Sequence, residues 1–363
     1  MKKIRVYLQY PLGISDSQYY KSMIDNPPER IEFVSGGNRV GMISSRKFFW
    51  LSNFLKKQIR FWTDKLGLVI VNVHSSPVGK SDLIHCAHCL SKEKKEPWIL
   101  DVESLWQLWI SGRDKSGARE KVLKYLMRDN CKKIIAWTEA TKKDIVETFP
   151  EVADKVEVVY YGMKMHELGK KKDKGNITLF FSGRHFYAKG GLHATEVMDK
   201  LTRKHNNVCG VINGAIPNDI IKKYSGNEKL KFYQLMPYED VLKLYRDSDI
   251  FVYPGYSDSF GFIFMDAMAF GVPIITVDGY ARKEIIEDGV TGFVLKRSED
   301  VRYRDIEKRI IGRLVEKVEI LIRDKKLRKR MGQKCIENIR DGKFSVKKRN
   351  EKLKLIYKEA LMI

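Results

Sequence analysis

The stretch of this sequence that most constrains its fold is residues 249–278, DIFVYPGYSDSFGFIFMDAMAFGVPIITVD. We predict a strand, a loop, a helix and a second strand at 250–253, 254–257, 259–270 and 272–277. Short apolar runs without polar alternation are typical of parallel strands covered on both faces. Gly255 permits a tight loop, and Gly271 with Pro273 ends the helix. The stretch therefore predicts an α/β unit whose helix start offers free N–H groups to an anion.

Two carboxylates, Asp258 and Asp266, stand eight positions apart around the predicted helix start. Eight residues are slightly more than two helical turns, so both side chains can lie near one face. A plainer interpretation is that Asp258 caps the helix and Asp266 is a partly buried polar residue. The spacing alone leaves both interpretations open.

The same residues resemble the donor site of the retaining, GT-B-fold glycosyltransferase family 4 (glycosyl transferases group 1). That family has Glu-x7-Glu followed by Ala-Met-Ala-x-Gly-x-Pro, and here Asp258 and Asp266 replace the two glutamates before Ala-Met-Ala-Phe-Gly-Val-Pro. The likeness covers most of residues 177–295 and implies two Rossmann-like doubly wound α/β domains that face each other across a cleft. It also implies that Asp258 contacts the sugar hydroxyls and Asp266 the nucleotide ribose.

A second part of the resemblance is Arg184-x4-Lys189-Gly190 after the apolar run 177–181, which matches the family's diphosphate-binding arginine and lysine. Arginine binds an oxyanion through two N–H groups and lysine adds a point charge, although scattered surface bases would look alike. These cations and a helix start can stabilise a leaving phosphate without a metal ion. The predicted catalytic residues are Asp258, Arg184 and Lys189. The predicted donor-binding residues are these three with Gly13, Gly183, Ser259, Phe260, Gly261 and Asp266.

The length of 363 residues fits two domains of ordinary size, and strands alternate with helices as in doubly wound sheets. We predict an N-terminal acceptor domain, a basic linker, a donor domain and a final helix that crosses back to the first domain, at 1–162, 163–176, 177–345 and 346–363.

The acceptor side departs from the family pattern: the strand 98–102 resembles the family strand that carries a His-Asp pair. Val102 and Glu103 stand there instead, so the histidine is absent or is supplied by His74 or His88. We predict Glu103 and His88 as acceptor-binding residues. His88 also belongs to the cluster HCAHC at 85–89, whose spacing could suit zinc, but no second pair completes a site. No metal is predicted, and Asp-Ser-Asp at 247–249 is interpreted as structural.

The formal charge of +22 favours a polyanionic partner: a phosphorylated substrate, an anionic membrane or nucleic acid. No nucleic-acid-binding module is recognisable, so nucleic acid is disfavoured. Five cysteines argue against a disulfide framework, no signal peptide is recognised, and no apolar stretch reaches the roughly 20 residues of a membrane span. A cytoplasmic location is expected, with contact at the inner face of the membrane.

Residues 45–66 predict a helix with two stripes. The first should face the core and comprises Phe48, Leu51, Leu55, Ile59, Trp62 and Leu66. The second comprises Trp50, Phe54 and Phe61, bordered by Arg46, Lys57 and Arg60. The second stripe either packs against a neighbouring element or faces an anionic membrane.

The predicted function is retaining, metal-independent transfer of a sugar from a UDP- or GDP-sugar to a glycan, lipid-linked or other hydroxyl acceptor, with no cofactor. Because aspartate is shorter than glutamate by about 1.5 Å, the backbone approaches the donor more closely, the donor differs, or activity is reduced. One alternative is a related GT-B epimerase or phosphorylase, which would need no acceptor. Another is a non-catalytic polyanion-binding protein, which would bind nucleic acid in a salt-sensitive way without binding nucleotide sugars.

Overall fold

The chain divides into two units, Met1–Gly162 with Val346–Ile363, and Met163–Ser345. Each is built on a six-stranded parallel sheet. The computed structural model describes residues 3–9, 18–34, 58, 61–63, 65–76, 81–167, 175–255, 260–297 and 308–363. Within these residues, no helix is both long and apolar enough to cross a membrane.

The sheet of the first unit has the order β10-β9-β7-β5-β1-β2. Its strands are β1 (Ile4–Gln9), β2 (Ile31–Val34), β5 (Leu83–Ala87), β7 (Trp98–Val102), β9 (Cys131–Ala136) and β10 (Val156–Val158). Two small sheets pair β3 (Ile70–Val71) with β8 (Trp109–Ser111), and β4 (Val73–His74) with β6 (Leu90–Ser91). The described helices are α1 (Gln18–Asp25), α2 (Ala118–Leu126), α3 (Glu139–Thr148) and α11 (Val346–Leu361), with 3-10 turns at Leu105–Leu108 and Pro150–Lys155.

Burial explains why these segments form central strands. Every residue of β5 and β7 is buried, as expected for parallel strands covered on both faces. The C-terminal helix α11 packs against β5 and β9. It is held by Arg349, a buried cation that donates to Oγ of Ser22 (2.8 Å) and to the carbonyl oxygen of Asn26 (2.7 Å).

The sheet of the second unit has the order β13-β12-β11-β14-β15-β16. Its strands are β11 (Ile177–Gly183), β12 (Val208–Gly214), β13 (Leu230–Tyr233), β14 (Ile250–Tyr253), β15 (Ile274–Val277) and β16 (Gly292–Leu295). Its described helices are α4 (Gly191–Lys204), α5 (Asn218–Tyr224), α6 (Tyr238–Arg246), α7 (Phe262–Ala269), α8 (Arg282–Ile285), α9 (Lys308–Arg323) and α10 (Lys325–Arg340). From β11 the chain proceeds to one side through β12 and β13, and from β14 to the other through β15 and β16. The strand order therefore reverses between β11 and β14, where doubly wound sheets bind ligands at their carboxyl ends.

Two local expectations are corrected. Trp62 and Leu66 belong to the predicted core stripe, but they are 53% and 68% exposed. The helical residues 61–63 and 65 end at Gly67, which has a φ of +66°, and the Trp62 ring faces the Lys65 ammonium at 5.2 Å. Of the second stripe, Phe61 is described and 58% exposed. Trp50, Phe54 and the bordering Arg46, Lys57 and Arg60 lie outside the described residues.

Candidate functional site at the carboxyl edge of the second sheet

The loops that follow β11 and β14 meet at the point where the strand order reverses. Gly190 has a φ of +76°, and a Cβ there would lie 2.7 Å from the carbonyl carbon of Pro254 and 2.8 Å from the nitrogen of Gly255. A Cβ at Gly255 would in turn lie 2.8 Å from the carbonyl oxygen of Lys189. The two backbones approach so closely that only glycine fits at either position, which joins the two loops into one surface.

The two predicted phosphate-binding cations lie in the first of these loops. Arg184 directly follows β11 and is exposed, while Lys189 is half-buried next to Gly190, the residue that precedes α4. A Cβ at Gly183 would lie 2.8 Å from Cβ of Lys189, so the absent side chain makes room for the lysine stem. No ion pair of Arg184 is found in the described part of the chain.

The second loop leads into α7, which begins at Phe262 and not at the predicted residue 259. Gly261 precedes the helix with a φ of +85°, and a Cβ there would lie 2.7 Å from the Phe264 ring. Phe260 is buried and its ring is 5.2 Å from that of Phe262. The helix start is therefore held by aromatic packing, while its first N–H groups lack intrahelical partners. Asp258 and Ser259 lie outside the described residues.

Asp266 lies in the second turn of α7 and is 4% exposed. The Tyr238 hydroxyl donates a hydrogen bond to its Oδ1 (2.6 Å). His166 places Nε2 3.4 Å from the same oxygen, within ion-pair distance but outside hydrogen-bond geometry. The His166 ring stacks on Phe270 with centroids 5.0 Å apart and an interplanar angle of 9°. Asp266 is thus a buried carboxylate held from two sides.

A buried polar cluster occupies the carboxyl edge of the first sheet, around Asp101 in β7. His85 Nε2 lies 3.2 Å from Oδ2 of Asp101, and the Tyr20 hydroxyl and the His88 backbone N–H donate to Oδ1. The Tyr357 hydroxyl of α11 lies 2.8 Å from Nδ1 of His85. Burial by itself would raise the pKa of Asp101, but the hydrogen bonds from His85 and Tyr20 and the charge of His88 outweigh it, so the pKa is lowered.

The predicted acceptor residues stand near this cluster in the chain. His88 has a φ of +54°, is 3% exposed, and packs on the Trp137 ring with centroids 4.7 Å apart. Its ring therefore faces Asp101 and Trp137, not solvent. Glu103 is half-buried, and its carbonyl oxygen accepts a hydrogen bond from Oγ1 of Thr141 (2.9 Å). His74 places Nε2 2.9 Å from the side-chain oxygen of Asn72, and burial lowers its pKa, helped by the charge of Lys92.

The cluster HCAHC does not gather into a metal site. Cys86 and Cys89 are buried, and burial raises the pKa of the Cys86 thiol, which disfavours the thiolate that a metal requires. Among the described residues, no group of three or more histidine, cysteine or acidic side chains could hold a metal ion. At 247–249, Asp249 accepts a hydrogen bond from the Thr178 N–H (2.8 Å) at the start of β14.

Several residues of these sites escaped the sequence analysis. Tyr238 and His166 lie 28 and 100 positions before Asp266 in the chain, and Tyr20 lies 81 positions before Asp101. No spacing rule joins residues so far apart. The only signal was that a buried carboxylate on an apolar helix needs hydrogen-bond partners from somewhere.

Comparison with known proteins finds similarity that is concentrated in the second unit. Residues 166–337 match the family model described as glycosyl transferases group 1. Over 292 residues the chain is 24% identical to an uncharacterized glycosyltransferase of Methanocaldococcus jannaschii, and the match covers 72% of each chain.

Two solved structures resemble the whole chain. A glycosyltransferase of Rickettsia africae has a TM-score of 0.65 at 16% identity, with 99% of each chain covered. Anabaena HepE in complex with UDP and glucose has a TM-score of 0.62 at 13% identity, covering 98% of this chain and 99% of that one. These likenesses show the fold, a mixed α/β protein with parallel sheets of the GT-B class. Residues 166–337, most of the second unit, are therefore similar to the glycosyl transferases group 1 family.

Proposed function

We propose that the protein is a retaining glycosyltransferase of the family 4 type. It transfers a sugar from a UDP- or GDP-sugar to a hydroxyl group of a glycan or lipid-linked acceptor, and it needs no metal ion. The observation that supports this proposal is the close approach of the loop that carries Arg184 and Lys189 to the start of the loop that follows β14, at Gly190 and Gly255.

The chemistry follows from where charge develops. Cleavage of the bond between the sugar and the diphosphate leaves negative charge on the leaving phosphate. Arg184 and Lys189 offset that charge, and the N–H group of Gly261, which directly precedes α7, adds the positive end of the helix dipole. Donors fixed before the reaction stabilise the transition state without reorganisation, so this set can replace a metal ion.

The two aspartates are assigned to different parts of the donor. Asp258 contacts the hydroxyls of the transferred sugar, and Asp266 contacts the ribose of the nucleotide. Gly183 lets the backbone approach the donor closely, and Gly13, also predicted to bind the donor, lies outside the described residues. UDP is favoured over GDP because the solved complex of Anabaena HepE contains UDP and glucose.

The acceptor is assigned to the carboxyl edge of the first sheet, at Glu103. Because the His88 ring is 3% exposed, its part in acceptor binding is to fix the end of β5 through Asp101 and Trp137.

The proposal is tested with the full chain and a panel of UDP- and GDP-sugars. A bound donor should raise the melting temperature by mass action. Arg184→Ala and Lys189→Ala should each lose about 2–4 kcal/mol of transition-state stabilisation, which lowers kcat/KM roughly 30- to 1,000-fold. Lys222→Ala, in α5 of the same unit, is the matched control and should leave it unchanged. Normal turnover in both site variants would exclude the phosphate assignment, and turnover of the donor without any acceptor would favour an epimerase.

A peripheral contact with anionic membranes is also proposed, because of an exposed apolar group in the first unit. Phe61 and Trp62 are 58% and 53% exposed with ring centroids 5.6 Å apart, and Lys65 lies over the Trp62 ring. Aromatic rings beside a lysine suit the boundary between headgroups and acyl chains. Such a contact would bring a lipid-linked acceptor to the enzyme.

A further inference from the structure

The surroundings of Asp266 suggest how a short carboxylate serves the nucleotide site. Its buried Oδ1 receives the Tyr238 hydroxyl at 2.6 Å and faces His166 Nε2 at 3.4 Å. Both contacts use the same oxygen, and no contact of Oδ2 is found in the described part of the chain. Oδ2 is therefore the oxygen that remains for a ligand.

The two partners fix the carboxylate from different elements. Tyr238 is the first residue of α6, and Pro237 precedes it with a φ of −55°. His166 belongs to the segment before β11, and its position is set by stacking on Phe270, directly after α7. An aspartate side chain that can rotate loses orientational freedom when it binds a ligand, and contacts that fix it beforehand remove that cost.

We propose that Tyr238 and His166 are positioning residues that hold Oδ1 of Asp266, so that Oδ2 is directed at the ribose hydroxyls of the donor nucleotide. This inference rests on the proposed function, since it requires a nucleotide-binding site at α7. It explains how aspartate can replace the longer glutamate: the fixed orientation of the carboxylate compensates for the shorter side chain. Neither Tyr238 nor His166 needs to touch the nucleotide.

The test compares Tyr238→Phe with Tyr233→Phe in the full chain. The two tyrosines are 39% and 38% exposed, each variant loses only a hydroxyl, and Tyr233 at the end of β13 makes no contact with Asp266. Isothermal titration with UDP and GDP should show affinity about 5- to 10-fold weaker in Tyr238→Phe and unchanged in Tyr233→Phe. In turnover assays, KM for the donor should rise in Tyr238→Phe while kcat stays within about 2-fold, because the reacting sugar is untouched.

A second comparison shows whether the effect passes through the carboxylate. His166→Phe keeps a ring for stacking on Phe270 but loses Nε2, and we expect about 2- to 5-fold weaker nucleotide binding. In an Asp266→Ala background, Tyr238→Phe should have no further effect on affinity.

Each outcome decides the inference. Weaker binding that disappears in the Asp266→Ala background supports it. Wild-type affinity in Tyr238→Phe, with or without a lower melting temperature, overturns it and leaves the tyrosine a structural role; so does an undiminished effect in the Asp266→Ala background. If wild type binds neither UDP nor GDP, the proposed function itself fails and the inference fails with it.

Discussion

Replacing Gly190 by alanine should separate the two loops that form the proposed donor site. The added Cβ would lie 2.7 Å from the carbonyl carbon of Pro254 and 2.8 Å from the nitrogen of Gly255, both backbone atoms that cannot rotate away. Forcing extra volume into such a contact costs about 1–3 kcal/mol. Alanine at a φ of +76° costs about 1–2 kcal/mol more. The sum is a loss of about 2–5 kcal/mol for the second unit.

Gly289 supplies a matched control for the backbone strain. Its φ is +77°, and an added Cβ would meet nothing within 4 Å. Gly289→Ala should therefore lose only the cost of the left-handed conformation, about 1–2 kcal/mol. The difference between the two variants isolates the contact between the loops.

The assay is urea unfolding of the full chain followed by two signals. All six tryptophans precede residue 163, so their fluorescence reports on the first unit, whereas far-UV circular dichroism reports on both. Gly190→Ala should move the circular-dichroism transition to lower urea than Gly289→Ala, with little change in fluorescence. It should also weaken UDP binding by about 10-fold or more, since misplaced phosphate contacts are costly. Equal stabilities, within about 0.5 kcal/mol, would refute the close approach of the loops.

Four further outcomes are expected. Sugar transfer should persist in EDTA, and loss of activity that magnesium or manganese restores would contradict the metal-independent clamp. Asp258→Asn should lower kcat with little change in nucleotide affinity, and a change confined to nucleotide affinity would move that residue away from the sugar. Because the pKa of Asp101 is lowered on folding, its contribution to stability is complete above about pH 4 and is lost as the pH falls through the folded pKa. Unfolding followed by tryptophan fluorescence should show that the difference in stability between wild type and Asp101→Asn shrinks below about pH 4. A constant difference from pH 7 to about pH 2.5 would contradict this. Phe61→Ser/Trp62→Ser should reduce co-sedimentation with vesicles containing anionic lipid at low salt, and a wild type that ignores such vesicles would exclude the membrane contact.

Local patterns in the sequence were sufficient for the α/β class and for the two strands that the proposed donor loops follow. The apolar runs that became β11 and β14 are continuous because both faces of a parallel strand are covered, so they are visible without any partner. Arg184 directly follows β11 and Lys189 lies later in the same loop, and the chain order of strands and helices predicted where the loops would lie. Helix periodicity served less well at 45–66: Trp62 and Leu66 fit a core stripe, yet both are exposed next to the helix end at Gly67. A periodic pattern identifies a face but not what covers it.

Tertiary structure alone decided which side chains surround the two buried carboxylates. Asp266 contacts Tyr238 and His166, and Asp101 contacts His85 and Tyr20. These partners come from elements separated by up to 100 residues in the chain. The sequence indicates that a buried charge must find partners, because desolvation without hydrogen bonds is too costly. It does not say which partners, since these depend on how β-strands and helices are ordered in space. The close approach at Gly190 has the same origin: a glycine next to a lysine is a common pattern, and only the neighbouring β14 loop makes the missing side chain necessary.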